Sequence, residues 1–141
     1  MNETAKKFGY PQSMLHELEF WIVLLRPVQV TLGSLVLVCR EPVSHFGQVS
    51  AKASGELTQA VAAIESALAN AFSYERINYL MLMMVDPDVH FHVLPRYGAD
   101  RQFAGNAYGD DAWPGPPDIT TNLEMSDDDH AALVEHLRGF F

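Results

Sequence analysis

Apolar residues recur along the chain in distinct rhythms, and each rhythm predicts an element. Phe20-Trp21-Ile22-Val23-Leu24-Leu25 is unbroken, too short and too aromatic for a helix, and predicts a buried strand. Pro27 and Gly33 bracket a connection, and Leu35 to Cys39 supplies a second aliphatic strand, so the two are expected to pair antiparallel until Pro42 ends the second. From Ser50 or Ser54 to about Phe72 the rhythm changes: Leu57, Val61, Ile64 and Leu68 form the stripe of an amphipathic helix. Ile77 to Val85 is apolar on both alternating faces and predicts a strand in the middle of the sheet, with Met81, Met83 and Met84 as core filler, the alternative being a soft wall for a base. Asp86-Pro87-Asp88 has turn chemistry, after which Val89 to Leu94 should fold back antiparallel, with Pro95 stopping the ladder.

Beyond this point the pattern weakens. Tyr97 to Asn122 is rich in Gly, Pro, Asp and Ala without a sustained period, and so long a stretch is expected to be functional or interfacial, the alternative being a plain surface excursion. Ser126 followed by Asp127, Asp128 and Asp129 then opens a C-terminal helix carrying Leu133, Val134, Leu137 and Phe140. The sum is an α+β domain, an antiparallel sheet of about five strands with one long helix and a C-terminal helix. A chain of 141 residues with 48% hydrophobic content suits one domain, here 13–141 with its loop and helix over 97–141, after a polar lead-in over 1–12.

Charge narrows the function. Acidic residues outnumber basic ones 18 to 9, a field that opposes nucleic acid and anionic membranes. A phosphorylated ligand would need a local donor cluster, for which Arg26, Arg40 and Arg96 are the candidates. The single cysteine, Cys39, lies in an apolar run and reads as an inert buried thiol. The amino terminus lacks a signal-peptide core, and no run approaches the roughly 20 apolar residues of a membrane span, so a cytoplasmic location is expected.

The candidate chemistry sits on the strand after the turn. Alternation places Asp88, His90, His92 and Leu94 on one face and Val89, Phe91 and Val93 on the other. The two imidazoles stand roughly 7 Å apart at the usual strand rise. The residues alone leave three readings: imidazoles that merely line or stabilise the fold, a metal site with Asp88 as third ligand, or nucleophilic catalysis by a neutral ring nitrogen.

The segment Asp88-Val89-His90-Phe91-His92-Val93-Leu94-Pro95-Arg96 resembles the signature of the histidine triad family, in which His-φ-His-φ-His-φ-φ is often followed by Pro-Arg. Leu32 to Val38 resembles the family's strand entry, Glu41 to Phe46 its Pro-Val-x-x-Phe turn, and Asp111 to Pro116 an Ala-Trp-Pro tail of some bacterial members. The resemblance points to the bacterial, diadenosine-polyphosphate-hydrolase-like branch. It implies a histidine-triad-like fold, a homodimer joined edge to edge, and a nucleotide ligand. It implies no obligatory cofactor, a divalent metal at most accompanying the nucleotide.

By the same resemblance His90 attacks an α-phosphorus, and His92 binds the phosphate and stabilises the transferring group. Asp88 stands where the family has its first histidine; a carboxylate there would raise a neighbouring imidazole pKa and repel phosphate. The Gly-Gln-Ser/Thr phosphate loop is replaced by Val85-Asp86-Pro87-Asp88, and the ribose-holding Asn or Asp by Leu25-Arg26-Pro27-Val28-Gln29. Arg26, Gln29 and Arg96 are the substitute substrate contacts. A nucleotide-binding module without turnover and a metal-binding His-x-His protein are the rival readings.

Overall fold

The computed structural model describes the whole chain, Met1–Phe141. In chain order the elements are α1 (Glu3–Lys7), β1 (Met14–Glu17), β2 (Trp21–Leu25), β3 (Leu35–Cys39), α2 (Ala51–Phe72), β4 (Arg76–Leu80), β5 (His90–Arg96), β6 (Arg101–Phe103), β7 (Asn106–Tyr108) and α3 (Asp127–Arg138). Five strands form one antiparallel sheet in the order β1-β2-β3-β5-β4, and β6-β7 is a separate hairpin. This is the expected α+β architecture. No helix is long and apolar enough to cross a membrane.

Both faces of β2 and β3 are fully buried, as their unbroken apolar runs require. One face carries Trp21, Val23, Leu25, Leu35, Leu37 and Cys39 beneath the stripe of α2, with Ile64 and Leu68 wholly buried. Ser50 caps α2 by accepting from the Ala53 N–H at 3.1 Å, and the Trp21 indole donates to the Ala53 carbonyl at 2.7 Å, pinning the helix start to the sheet. The Glu56 carboxylate adds bonds from the Glu19 and Phe20 amides. Gly33, at φ +88°, lets the β2–β3 connection pass against Leu68: a Cβ there would lie 3.2 Å from its methyl. Helix α3 seats Leu133, Val134 and Leu137 in the same core, while Phe140 stays 37% exposed. Its expected cap is present, Ser126 Oγ accepting from the Asp129 amide.

Several expectations are corrected. The strand read as Ile77–Val85 stops at Leu80 and lies at the sheet edge, not its middle. Met83 takes φ 51°, the chain leaves the sheet, and Met84 and Val85 are more than four-fifths exposed, so Met84 is not core filler. Pro95 does not stop the ladder; it pairs with Ile77, and Arg96 with Arg76. Its carbonyl accepts from the Thr31 hydroxyl, so the side of the strand lacking an N–H faces away from β4. The 97–122 stretch holds the β6-β7 hairpin, turned by Ala104 and Gly105, both at positive φ.

The polar lead-in over 1–12 is a packed element. Asn2 caps α1 by accepting from the Ala5 amide, and Ala5 and Phe8 join Ile22, Leu24, Val36 and Val38 on the second sheet face. A five-residue helix has too few internal bonds to mark itself by periodicity, and it holds its shape through this docking.

Candidate active site

His90 pairs with Val38, and His92 with Val36 and Leu80, which puts both imidazoles on the α1 side of the sheet, with Leu94 continuing the alternation. That face is not open. His90 is 2% and His92 7% exposed, both beneath Phe8, whose ring meets His92 edge-on at 5.8 Å and His90 at 6.1 Å. The rings lie 5.2 Å apart and nearly perpendicular. They open onto a cavity of about 300 Å³ walled by α1, the end of β2 and the 81–89 segment, with Lys7, Arg26 and Asp86 as its charged residues. That volume is at the lower end of the roughly 300–1,000 Å³ common for small-molecule sites. Larger clefts, including one of about 690 Å³ between the Gly9–Ser13 turn and α3, contain neither imidazole.

Hydrogen bonding sets opposite tautomers on the two rings. His90 Nδ1 lies 2.6 Å from the Asp88 carbonyl, which can only accept, so Nδ1 carries the proton and Nε2 of the neutral ring is a bare lone pair. His92 Nδ1 lies 3.4 Å from Arg26 Nε, which can only donate, so the His92 proton sits on Nε2. One ring therefore offers a nucleophile and the other a donor.

Burial, then the Arg26 charge, then His90, pull the His92 pKa down from 6.5 to about 4. Burial also lowers the Arg26 pKa, though a guanidinium stays charged. Because the folded value lies below the unfolded one, the unfolded chain binds more protons between them, and stability is lost as pH falls from about 6.5 toward 4. Proton-detected titration is expected to find the His92 ring neutral down to about pH 4, and His92→Phe to flatten the acid side of the stability profile. A His92 ring titrating near 6.5 would contradict this electrostatic picture.

The other sequence-derived candidates are dispersed. Arg26 reaches the site, its Nη1 also donating to the Val28 carbonyl at 2.7 Å. Asp88 lies before the strand begins; its carboxylate accepts from the Thr4 amide at 3.1 Å, and its amide donates to the Thr4 hydroxyl. It faces α1, and what it gives His90 is a backbone carbonyl, which any residue could supply. The two-histidine, one-aspartate metal set is accordingly not assembled, and no group of three His, Cys, Asp or Glu side chains is arranged to hold an ion.

Gln29 is not positioned as a ligand. It is 2% exposed, and its amide donates to the Arg26 and Ser34 carbonyls while its oxygen accepts from the Gly33 and Ser34 amides. It closes the loop that carries Arg26, a positioning role. Arg96 is likewise occupied: 3% exposed, it forms a two-pronged pair with Asp110 at 2.7 and 3.1 Å and donates to Asn78. Arg40 directly follows β3, and its side chain is turned toward β1, bonded to the Leu18 carbonyl and paired with Glu17. His130 bonds through Nε2 to the Arg26 carbonyl. Trp113 lines a cleft beside β4 with Arg76 and Tyr79, away from the imidazoles.

This sheet, with its long helix and its paired histidines on β5, is the histidine triad fold. A histidine triad protein from Sinorhizobium meliloti 1021 superposes over 100% of this chain and 96% of its own, with TM-score 0.75 and 20% identity. One from Marinobacter aquaeolei VT8 covers 99% and 93% at TM-score 0.74 and 18% identity. A hypothetical histidine triad nucleotide-binding protein from Sulfolobus tokodaii strain 7 covers 91% and 82% at TM-score 0.68 and 16% identity. No family model matches the sequence, and no curated protein matches it.

Proposed function

We propose that the chain is a histidine triad protein acting as a nucleotide hydrolase or transferase on nucleoside phosphate anhydrides or phosphoramidates. Two hydrogen bonds carry this reading: His90 Nδ1 donates to the Asp88 carbonyl, which leaves Nε2 with its lone pair, and His92 Nδ1 accepts from Arg26 Nε, which assigns its proton to Nε2. In the first step His90 Nε2 bonds to the α-phosphorus as the bond to the leaving group breaks. The leaving group departs with its electron pair and takes a proton from water. The positive charge that develops on His90 is shared through Nδ1–H with the Asp88 carbonyl. His92 Nε2–H and the Arg26 guanidinium are donors that can meet the phosphoryl oxygens. Water or another acceptor then attacks phosphorus, breaks the N–P bond and restores His90. The sequence balances without an obligatory cofactor, a divalent ion arriving at most with the nucleotide.

A homodimer belongs to the same reading. The outer edge of β4 has no strand beside it, and the exposed Leu82, Met84 and Val85 follow it, a surface suited to a second copy. The decisive experiment is to incubate the protein with a diadenosine polyphosphate or an adenosine phosphoramidate and quench it. Mass spectrometry should then find one nucleotidyl group bound to a histidine on the His90–His92 peptide. Tight nucleotide binding with no product after prolonged incubation would replace this reading with that of a binding module.

A further inference from the structure

Of the residues walling the imidazole cavity, Lys7 and Asp86 are two charged groups that the reaction above does not use. Lys7 comes from α1 and Asp86 from the segment between β4 and β5, so their ion pair, Nζ to Oδ1 at 2.8 Å, bridges opposite walls of the cavity. The Asp88–Thr4 bonds tie the same two segments together. The Lys7 side chain is 52% exposed and that of Asp86 13%. The lysine therefore keeps solvent access and free donor positions, since an ammonium has three N–H bonds.

The segment Met81-Leu82-Met83-Met84-Val85-Asp86-Pro87-Asp88 offers no side-chain hydrogen-bond donor of its own. A phosphate lying against His90 and His92 must draw its side-chain donors from elsewhere. Lys7 and Arg26 are the two cations in the cavity wall, and Asp86 is its carboxylate. A phosphate oxygen and the Asp86 carboxylate are chemically alike as acceptors for an ammonium, so they compete for the same partner.

We propose that Lys7 is a phosphate-binding residue of this cavity and Asp86 its internal competitor. An arriving phosphate oxygen displaces the Asp86 carboxylate from Lys7. The displaced carboxylate stays in the wall and disfavours further negative charge, which makes the site selective for phosphates of low net charge. This inference rests on the nucleotide reading of the cavity.

The test is calorimetric binding of AMP and of ATP, without added metal, to the full chain and its variants. Asp86→Asn is expected to tighten AMP by about tenfold, the size of one charge-assisted hydrogen bond, and ATP by more. Lys7→Met should weaken AMP by about the same factor, with Lys7→Arg retaining affinity, and the Asp86→Asn gain should shrink when Lys7→Met is also present. Thermal melting of each variant separates lost binding from lost folding. Wild-type binding with both single variants unchanged, or an undiminished Asp86→Asn gain in the double variant, overturns the inference alone. A wild-type chain that binds neither nucleotide overturns the nucleotide reading and this inference together.

Discussion

Alanine at position 90 is expected to leave no nucleotidyl adduct and to lower kcat/KM by at least roughly a thousandfold, the scale on which nucleophile deletions act. The side chain is buried beneath Phe8, so the truncation also opens a cavity, and loss of activity by that variant alone would not separate chemistry from packing. His90→Asn makes the distinction. Its amide N–H occupies the place of Nδ1–H and can still donate to the Asp88 carbonyl, while nothing stands in for Nε2. The expected result is a folded, nucleotide-binding protein with turnover as low as in the alanine variant. Turnover in His90→Asn comparable to wild type would remove His90 as the nucleophile. His92→Asn should retain part of the activity, because the transition-state donor is lost but the attacking nitrogen is not.

The histidine strand was legible because alternation over a short segment assigns faces directly, and the Val89, Phe91 and Val93 side is apolar without exception. The β2, β3, α2 and α3 assignments likewise rested on signals contained within each segment: uninterrupted apolar runs, a stripe at helical spacing, and a serine with an acidic first turn. What escaped depends on long-range contacts. The α1 helix has no stripe of its own, and its place over the imidazoles follows from Ala5 and Phe8 docking on Val36 and Val38. Lys7 and Asp86 were therefore invisible as cavity residues. The end of β4 was misjudged because methionine and valine suit a strand interior as well as an exposed loop, and composition cannot tell which side of Leu80 carries the last ladder bond. Gln29 and Asp88 show another limit. Both lie close to the site, but Gln29 acts by closing a loop and Asp88 through its backbone carbonyl.

Removing the Asp110 carboxylate is expected to destabilise the fold by about 3–5 kcal/mol, the range for breaking a buried ion pair from one side. Arg96 would keep its charge at 3% exposure with Asn78 as its remaining side-chain partner, and the Tyr97 amide would lose its acceptor as well. Asp110 is also the anchor of the segment after β7, so Asp110→Ala should loosen the path that brings the Trp113 indole against Gly98. Replacing both partners by apolar residues, Arg96→Met with Asp110→Leu, should recover part of the loss, because no unpaired charge is then left inside. The denaturation midpoint of each variant measures this. The same variants decide what Arg96 does: a pair that is purely structural leaves nucleotide affinity unchanged below the melting temperature. A selective rise in KM for Arg96→Met, with stability intact, would instead return Arg96 to the phosphate site from which its pairing with Asp110 removes it.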